Sequence, residues 1–229
     1  MSKTHLTQAD TVHMGAAYYA AAYATQGRKG RPINPATRAV LGTPVVGDPN
    51  GVIETQNITA AGGPATGFDG TLADSLTLAT FDVPRNVVAA WTTTAVMTVT
   101  GTDLYGEVIV ESSASGTTMA GKKAFKTITD VSISTDVTAA TVGHGDVLGL
   151  PYRVNNKDEI LIFENGVPVA TGTFVAAVTT DPATATTGDV RGTLDPTATL
   201  DGSIRIVVEC LGLDAASKAG LFGVDQFGG

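Results

Sequence analysis

Cysteine occurs once, at Cys210, tryptophan once, at Trp91, and histidine three times, at His5, His13 and His144. A single cysteine excludes an internal disulfide. Its apolar setting, Ile204 to Leu211, marks a small buried core residue rather than a nucleophile. Three scattered histidines with no second cysteine leave no zinc-ligand spacing. Charged side chains are also scarce, at 16%, where soluble domains usually carry about a quarter. No window approaches the ~18 apolar residues of a membrane span. The start, Met1-Ser2-Lys3-Thr4-His5, lacks the apolar core of a secretory leader, so synthesis and folding in a reducing cytoplasm are expected.

What replaces charge is glycine (27 residues), alanine, threonine and valine. This composition has two readings. One is a dense β-protein whose surface polarity comes from hydroxyls, and the other is a subunit that hides much of its surface in an assembly. The net charge of −8 argues against a free nucleic-acid binder, which needs a cationic face. That charge is unevenly spread. Residues 1–47 hold Lys3, Arg28, Lys29, Arg31 and Arg38 against Asp10, a net of +4. The other nine bases and 21 acids give the rest of the chain −12. A basic segment on an acidic body suits docking onto an oppositely charged neighbour; a solvated basic leader is the plainer alternative.

The N-terminal part reads as an extended arm over residues 1–70, with at most a short helix in the Ala/Tyr-rich stretch Ala9 to Thr25. Residues 26–70 interleave glycine and proline (Pro32, Pro35, Pro44, Pro49, Pro64) with short apolar runs. So long an irregular stretch is unusual inside a compact domain, whereas an arm lying on a neighbour would accommodate it. From residue 71 to 229 the pattern is a β-rich body. Strands are expected at Leu76–Phe81, Asn86–Thr92, Ala95–Gly101, Glu107–Ser112, Gly172–Thr179 and Ser203–Leu211. Phe125 to Ser134 alternates for ten residues. It points inward either Phe125, Thr127, Thr129, Val131 and Ile133, or the set containing Ile128 if a bulge falls at Asp130. Asn165-Gly166 between two apolar runs predicts a type I′ hairpin, which requires Pro168 to lie on an edge. A second short helix is expected at Ala215 to Leu221. The fold class is mainly β, an antiparallel sandwich or barrel with an N-terminal arm.

The chain offers little for catalysis. His144, in Val142-Gly143-His144-Gly145-Asp146, lacks a Gly-x-Ser-x-Gly partner and reads as a polar loop between strands. The glycines at 143, 145 and 149 miss the dinucleotide-binding spacing and have no βαβ context. Asp181, Asp189, Asp195 and Asp201 are too far apart for a calcium loop and read as turn formers. Aromatic content of 6% leaves little for sugar stacking. No catalytic, metal or cofactor site is expected. Gly121-Lys122-Lys123-Ala124-Phe125-Lys126 places three cations at a strand entrance, either to solubilise an edge or to meet an acidic neighbour.

Four stretches carry a family resemblance: Thr98-Val99-Thr100-Gly101-Thr102-Asp103-Leu104-Tyr105-Gly106-Glu107, Gly121 to Thr129, Val142 to Pro151, and Gly188-Asp189-Val190-Arg191-Gly192-Thr193. The pattern, which covers roughly residues 95–210, resembles virion structural proteins of tailed bacteriophages. The resemblance implies a capsid cement or decoration protein on the outside of an icosahedral shell, with the major capsid protein and a homotrimer of itself as partners. No nucleic acid, membrane or small-molecule substrate is expected as a partner. A tail or neck component (tube, adaptor or fibre-associated module) is the alternative. Arg28, Lys29, Arg31, Arg38, Lys122, Lys123 and Lys126 are the expected partner-binding residues.

Overall fold

The computed structural model describes residues 37–178, 180, 183–210 and 226. These residues are mainly β, built of antiparallel sheets that include a curled half-barrel, with no helix of seven or more residues among them. The strands are β1 (Thr37–Gly42), β2 (Asp48–Thr59), β3 (Gly63–Pro64), β4 (Ala73–Ser75), β5 (Leu78–Ala95), β6 (Met97–Thr102) and β7 (Val108–Ser112). They continue with β8 (Gly116–Ile133), β9 (Val137–Gly149), β10 (Ile160–Glu164), β11 (Val167–Val169), β12 (Thr173–Val175), β13 (Thr193–Asp195) and β14 (Ile206–Cys210). One turn of 3₁₀ helix, Lys157–Glu159, precedes β10 and is capped by the Asn156 side chain.

The larger sheet has ten strands in the order β12-β13-β9-β5-β8-β6-β7, with β2 beside β9, β3 beside β2 and β4 beside β5. Its inner face carries Ile53, Phe81, Trp91, Met97, Ile109, Phe125, Ile128 and Val142 in one apolar cluster. Burying each such side chain is worth about 1.5–3 kcal/mol. An exposed ion pair adds about 0–1 kcal/mol, so the apolar cluster dominates the stability of this sheet. The smaller sheet runs β1-β14-β10-β11. Its inner residues Ile160, Ile162, Ile206, Val208 and Cys210 pack with Val83, Leu148 and Leu194 from the larger sheet. The two sheets therefore share a second core.

Several local expectations hold. Asn165 (φ 50°) and Gly166 (φ 85°) form the turn between β10 and β11, and Pro168 lies on the edge strand. In β8, Thr100 opposes Asp130 and Gly101 opposes Ile128, so Thr129 is bulged out. The buried set is accordingly Phe125, Ile128, Val131 and Ile133. Other expectations change. Leu78–Phe81 and Asn86–Thr92 belong to one long β5, with Leu76 and Thr77 in the turn before it, because Pro84 lies where the register against β8 jumps from Thr80 to Arg85. At such a bulge its missing N–H costs no ladder bond.

The arm expected to run unpaired to residue 70 does not do so over its described part. β1 pairs with β14, and β2 pairs with β9 in the larger sheet. The prolines that suggested an arm occupy the β1–β2 connection (Pro44), an irregular stretch of β2 (Pro49) and the two-residue β3 (Pro64). Residues 1–36, with the expected Ala/Tyr helix, and Ala215–Leu221 lie outside the described residues.

Candidate binding surface

The apolar run Ile160-Leu161-Ile162-Phe163 sits in a strand with neighbours on both sides. Period-two alternation sends Ile160 and Ile162 inward and Leu161 and Phe163 outward. The register then assembles the outward face of the smaller sheet. Arg38 opposes Glu209, which opposes Leu161; Val40 opposes Val207, which opposes Phe163, itself opposite Pro168. Val40 is 53% exposed and Leu161 46%, so this face presents aliphatic surface to solvent. Arg38 approaches Glu209 at 3.7 Å and lies 5.5 Å from the centre of the Phe163 ring. The face is apolar with one compensated ion pair, the composition of a protein-contact patch rather than of a catalytic cleft.

Of the four described cations among the seven expected to bind a partner, Arg38 alone lies on this face; Arg28, Lys29 and Arg31 lie outside the described residues. The lysines of β8 lie on the stretch that pairs with β5, ahead of the Thr127–Ile133 stretch that also pairs with β6. Lys122 is exposed. Lys123 is fully buried, its Nζ donating to the Gly188 carbonyl at 3.4 Å. Burial lowers the Lys123 ammonium from its ordinary value, against the raising effect of Asp189 and Glu111. Lys126 turns its Nζ onto the carbonyls of Phe81 and Asp82. Lys123 and Lys126 therefore serve the chain's own fold, and Lys123 is removed from any partner surface. The outward residues Val40, Leu161 and Phe163 were not expected. The signal for Leu161 and Phe163 was the unbroken apolar run at 160–163, which alternation alone cannot bury.

The buried charges elsewhere act as clasps. Arg85, with no exposure, donates from Nε and Nη2 to the two oxygens of Asp82, each at 2.7 Å. It also donates to the carbonyls of Val45 (2.6 Å) and Gly145 (3.2 Å). This pins the β1–β2 connection to β5 and β9. Burial alone would raise the Asp82 carboxyl. The hydrogen bonds and charge of Arg85, with the N–H groups of Val45 and Val83, instead hold it below its ordinary value. A second clasp joins Arg191 to Asp103, with the Arg191 guanidinium 5.0 Å from the Tyr105 ring centre.

His144 is a buried strand residue rather than a polar loop. It packs edge-on against Phe81 at 5.0 Å, and burial depresses its imidazole. Gly143 beside it allows close approach of β2, since a Cβ there would lie 1.9 Å from the Asp48 carbonyl. Cys210 is fully buried, and burial pushes its thiol up to about 12, far from a reactive thiolate.

The described residues also form surface hollows. An open groove of about 520 Å³ is lined by Lys157, Asp158, Thr173 and Asp195 among others. A smaller one of about 270 Å³ has Glu111, Thr118, Lys122 and Thr186 in its wall. Among the described residues, no three His, Cys, Asp or Glu side chains converge as a metal would require. No family model matches the chain, and neither the curated proteins nor the solved structures contain a significant match.

Proposed function

We propose that the chain is a structural subunit of a phage particle, a cement or decoration protein on the outside of the shell. The outward face of the smaller sheet rests on the major capsid protein, and the basic N-terminal segment makes a second attachment. The observation that carries this reading is the outward face on which Val40 and Leu161 are exposed, beside half-buried Phe163, buried Val207 and the Arg38–Glu209 pair. The low charge content and the phage-like pattern over residues 95–210 support it further. Attachment at two places gains avidity without requiring one strong contact.

The test is addition of purified protein to empty shells that lack it. Saturable binding at hundreds of copies per particle, reflecting the shell's symmetry, is expected. No binding, or a single ring of about 6 or 12 copies, would overturn the assignment, the latter placing the chain at the neck. Truncation must stop before Thr37, because a cut at residue 47 would remove β1 and damage the face itself. A chain beginning at Thr37 is expected to fold and to bind the shell more weakly.

A further inference from the structure

The smaller sheet has β1 and β11 as its edge strands, and the two edges end differently. The Asn165 N–H donates to the Arg205 carbonyl at 2.9 Å, which fixes the phase of the ladder between β10 and β14. In an antiparallel ladder the hydrogen-bonded pairs recur at every second residue. Phe163–Val207 and Leu161–Glu209 are therefore bonded pairs, while Ile162 and Glu164 turn their backbone groups to β11. Opposite these stand Val169 and Val167, so Pro168 faces away from β10. The outer edge of β11 thus lacks a donor at its centre, a common way of closing an edge to further strands.

The same phase leaves the other edge open. Val207 and Glu209 face β10, so Val208 and Cys210 face β1 and meet Ala39 and Thr37. The N–H and C=O groups of Arg38 and Val40 then point away from β14, and among the described residues no strand pairs with that side. Neither position carries proline or lysine. Val40 is exposed, and the Arg38 charge is met by Glu209 in its own sheet. A register shift between Val40 and Gly42 ends the regular edge there, so the open window is short.

We propose that β1 pairs antiparallel with β1 of a second copy of this chain, about a two-fold axis at Ala39. Arg38 of each copy then stands opposite Val40 of the other, and both pairs exchange N–H···O=C bonds through their outward groups. Like charges are not directly opposed. Ala39, half-buried, meets its counterpart at the axis with only a methyl group. The occupant is identified by what lies beyond the strand ends. Pairing sets the Thr37 end of one copy beside the Gly42 end of the other, where the β1–β2 connection begins. Around that connection lie Asp82, bonded to the Val45 N–H, Asp146, bonded to the Gly47 N–H, and Asp48 at the start of β2. These three carboxylates stand against one guanidinium, Arg85. The chain before Thr37 carries Arg28, Lys29 and Arg31, and the stretch from Arg31 to Thr37 reaches up to about 20 Å. The basic segment of each copy is thereby delivered to the acidic connection of the other, which makes a second copy the complementary occupant. The pair closes on itself, giving dimers rather than the homotrimer that the phage resemblance implies.

The test uses the full-length protein alone, so its outcome is independent of shell binding. Sedimentation equilibrium should show monomers and dimers, with association weakened by salt through the charged segment. The Arg38 and Val40 amides should gain protection from hydrogen exchange as concentration rises, while Ala39, bonded within its own sheet, is protected throughout. Val40→Pro removes the outward donor and no bond to β14, so the fold should persist while dimer affinity falls on the order of tenfold or more. Val40→Thr keeps the donor and should leave the dimer intact. A monomer at every concentration, a trimer, or a dimer indifferent to Val40→Pro would overturn the proposal. Protection of Arg38 and Val40 in the dilute monomer would overturn it too, by showing the chain's own N-terminal segment on this edge. The wild-type exchange measurement decides the matter alone should the proline variant fail to fold.

Discussion

The two sheets treat their outward faces differently. On the larger sheet the residues turned to solvent include Thr92, Thr93 and Thr94 of β5, Thr117 and Thr118 of β8, and Thr138 of β9. Hydroxyls there supply the polarity that a chain with few charges otherwise lacks. On the smaller sheet the outward positions include Val40, Leu161, Phe163 and Pro168. The same strand chemistry yields a hydroxyl-rich surface in one place and a partly aliphatic one in the other. The difference lies in side-chain polarity on one phase of the alternation rather than in the backbone.

The comparison is open to attack at several points. The largest effect is expected where the sheets are tied together. Arg85→Met should destabilise the body by about 3–5 kcal/mol, since Asp82 would lose its buried partner, and denaturant unfolding would measure this. Within β10 the contrast reduces to adjacent residues. Ile162→Ala, on the shared core, should cost about 2–5 kcal/mol, whereas Leu161→Ala, on the outward face, should stay within about 0.5 kcal/mol. Equal losses at both positions would show that the outward face is not free.

Acid adds a pH test of the Arg85 clasp. The folded value of Asp82 is depressed below 3.8, so its contribution is fully present above that pH and is lost as pH falls through the folded value. Asp82→Asn should remove this component from the acid-unfolding curve. The smallest effect is expected at Arg38→Ala, about 0.5 kcal/mol or less, because both its ion pair and its ring contact are exposed.

The β class, the Asn165-Gly166 hairpin and the bulge near Asp130 were legible because each depends on a short local pattern. The roles of Lys123 and Lys126 were not, since a lysine beside a strand looks alike whether it faces solvent or reaches a carbonyl. Only the carbonyls that Lys123 and Lys126 reach in the folded chain decide between them. The arm was overextended for a similar reason: proline reports a missing N–H but not whether the ladder needed it at that position. Arg85 was missed because Asp82, three residues away, reads as an ordinary local ion pair, while the Val45 and Gly145 carbonyls that complete its buried setting lie 40 and 60 residues away. The outward face was half legible. The run at 160–163 signalled a strand with two apolar faces, but Val40 joins it through a pairing between β1 and β14 that no local pattern encodes.

The most direct test of the proposed role is shell binding by the double variant Val40→Asp, Leu161→Asp, measured beside wild type and beside its own unfolding curve. The account predicts a folded protein of nearly unchanged stability that no longer saturates the shell. Undiminished binding by that folded variant would contradict it.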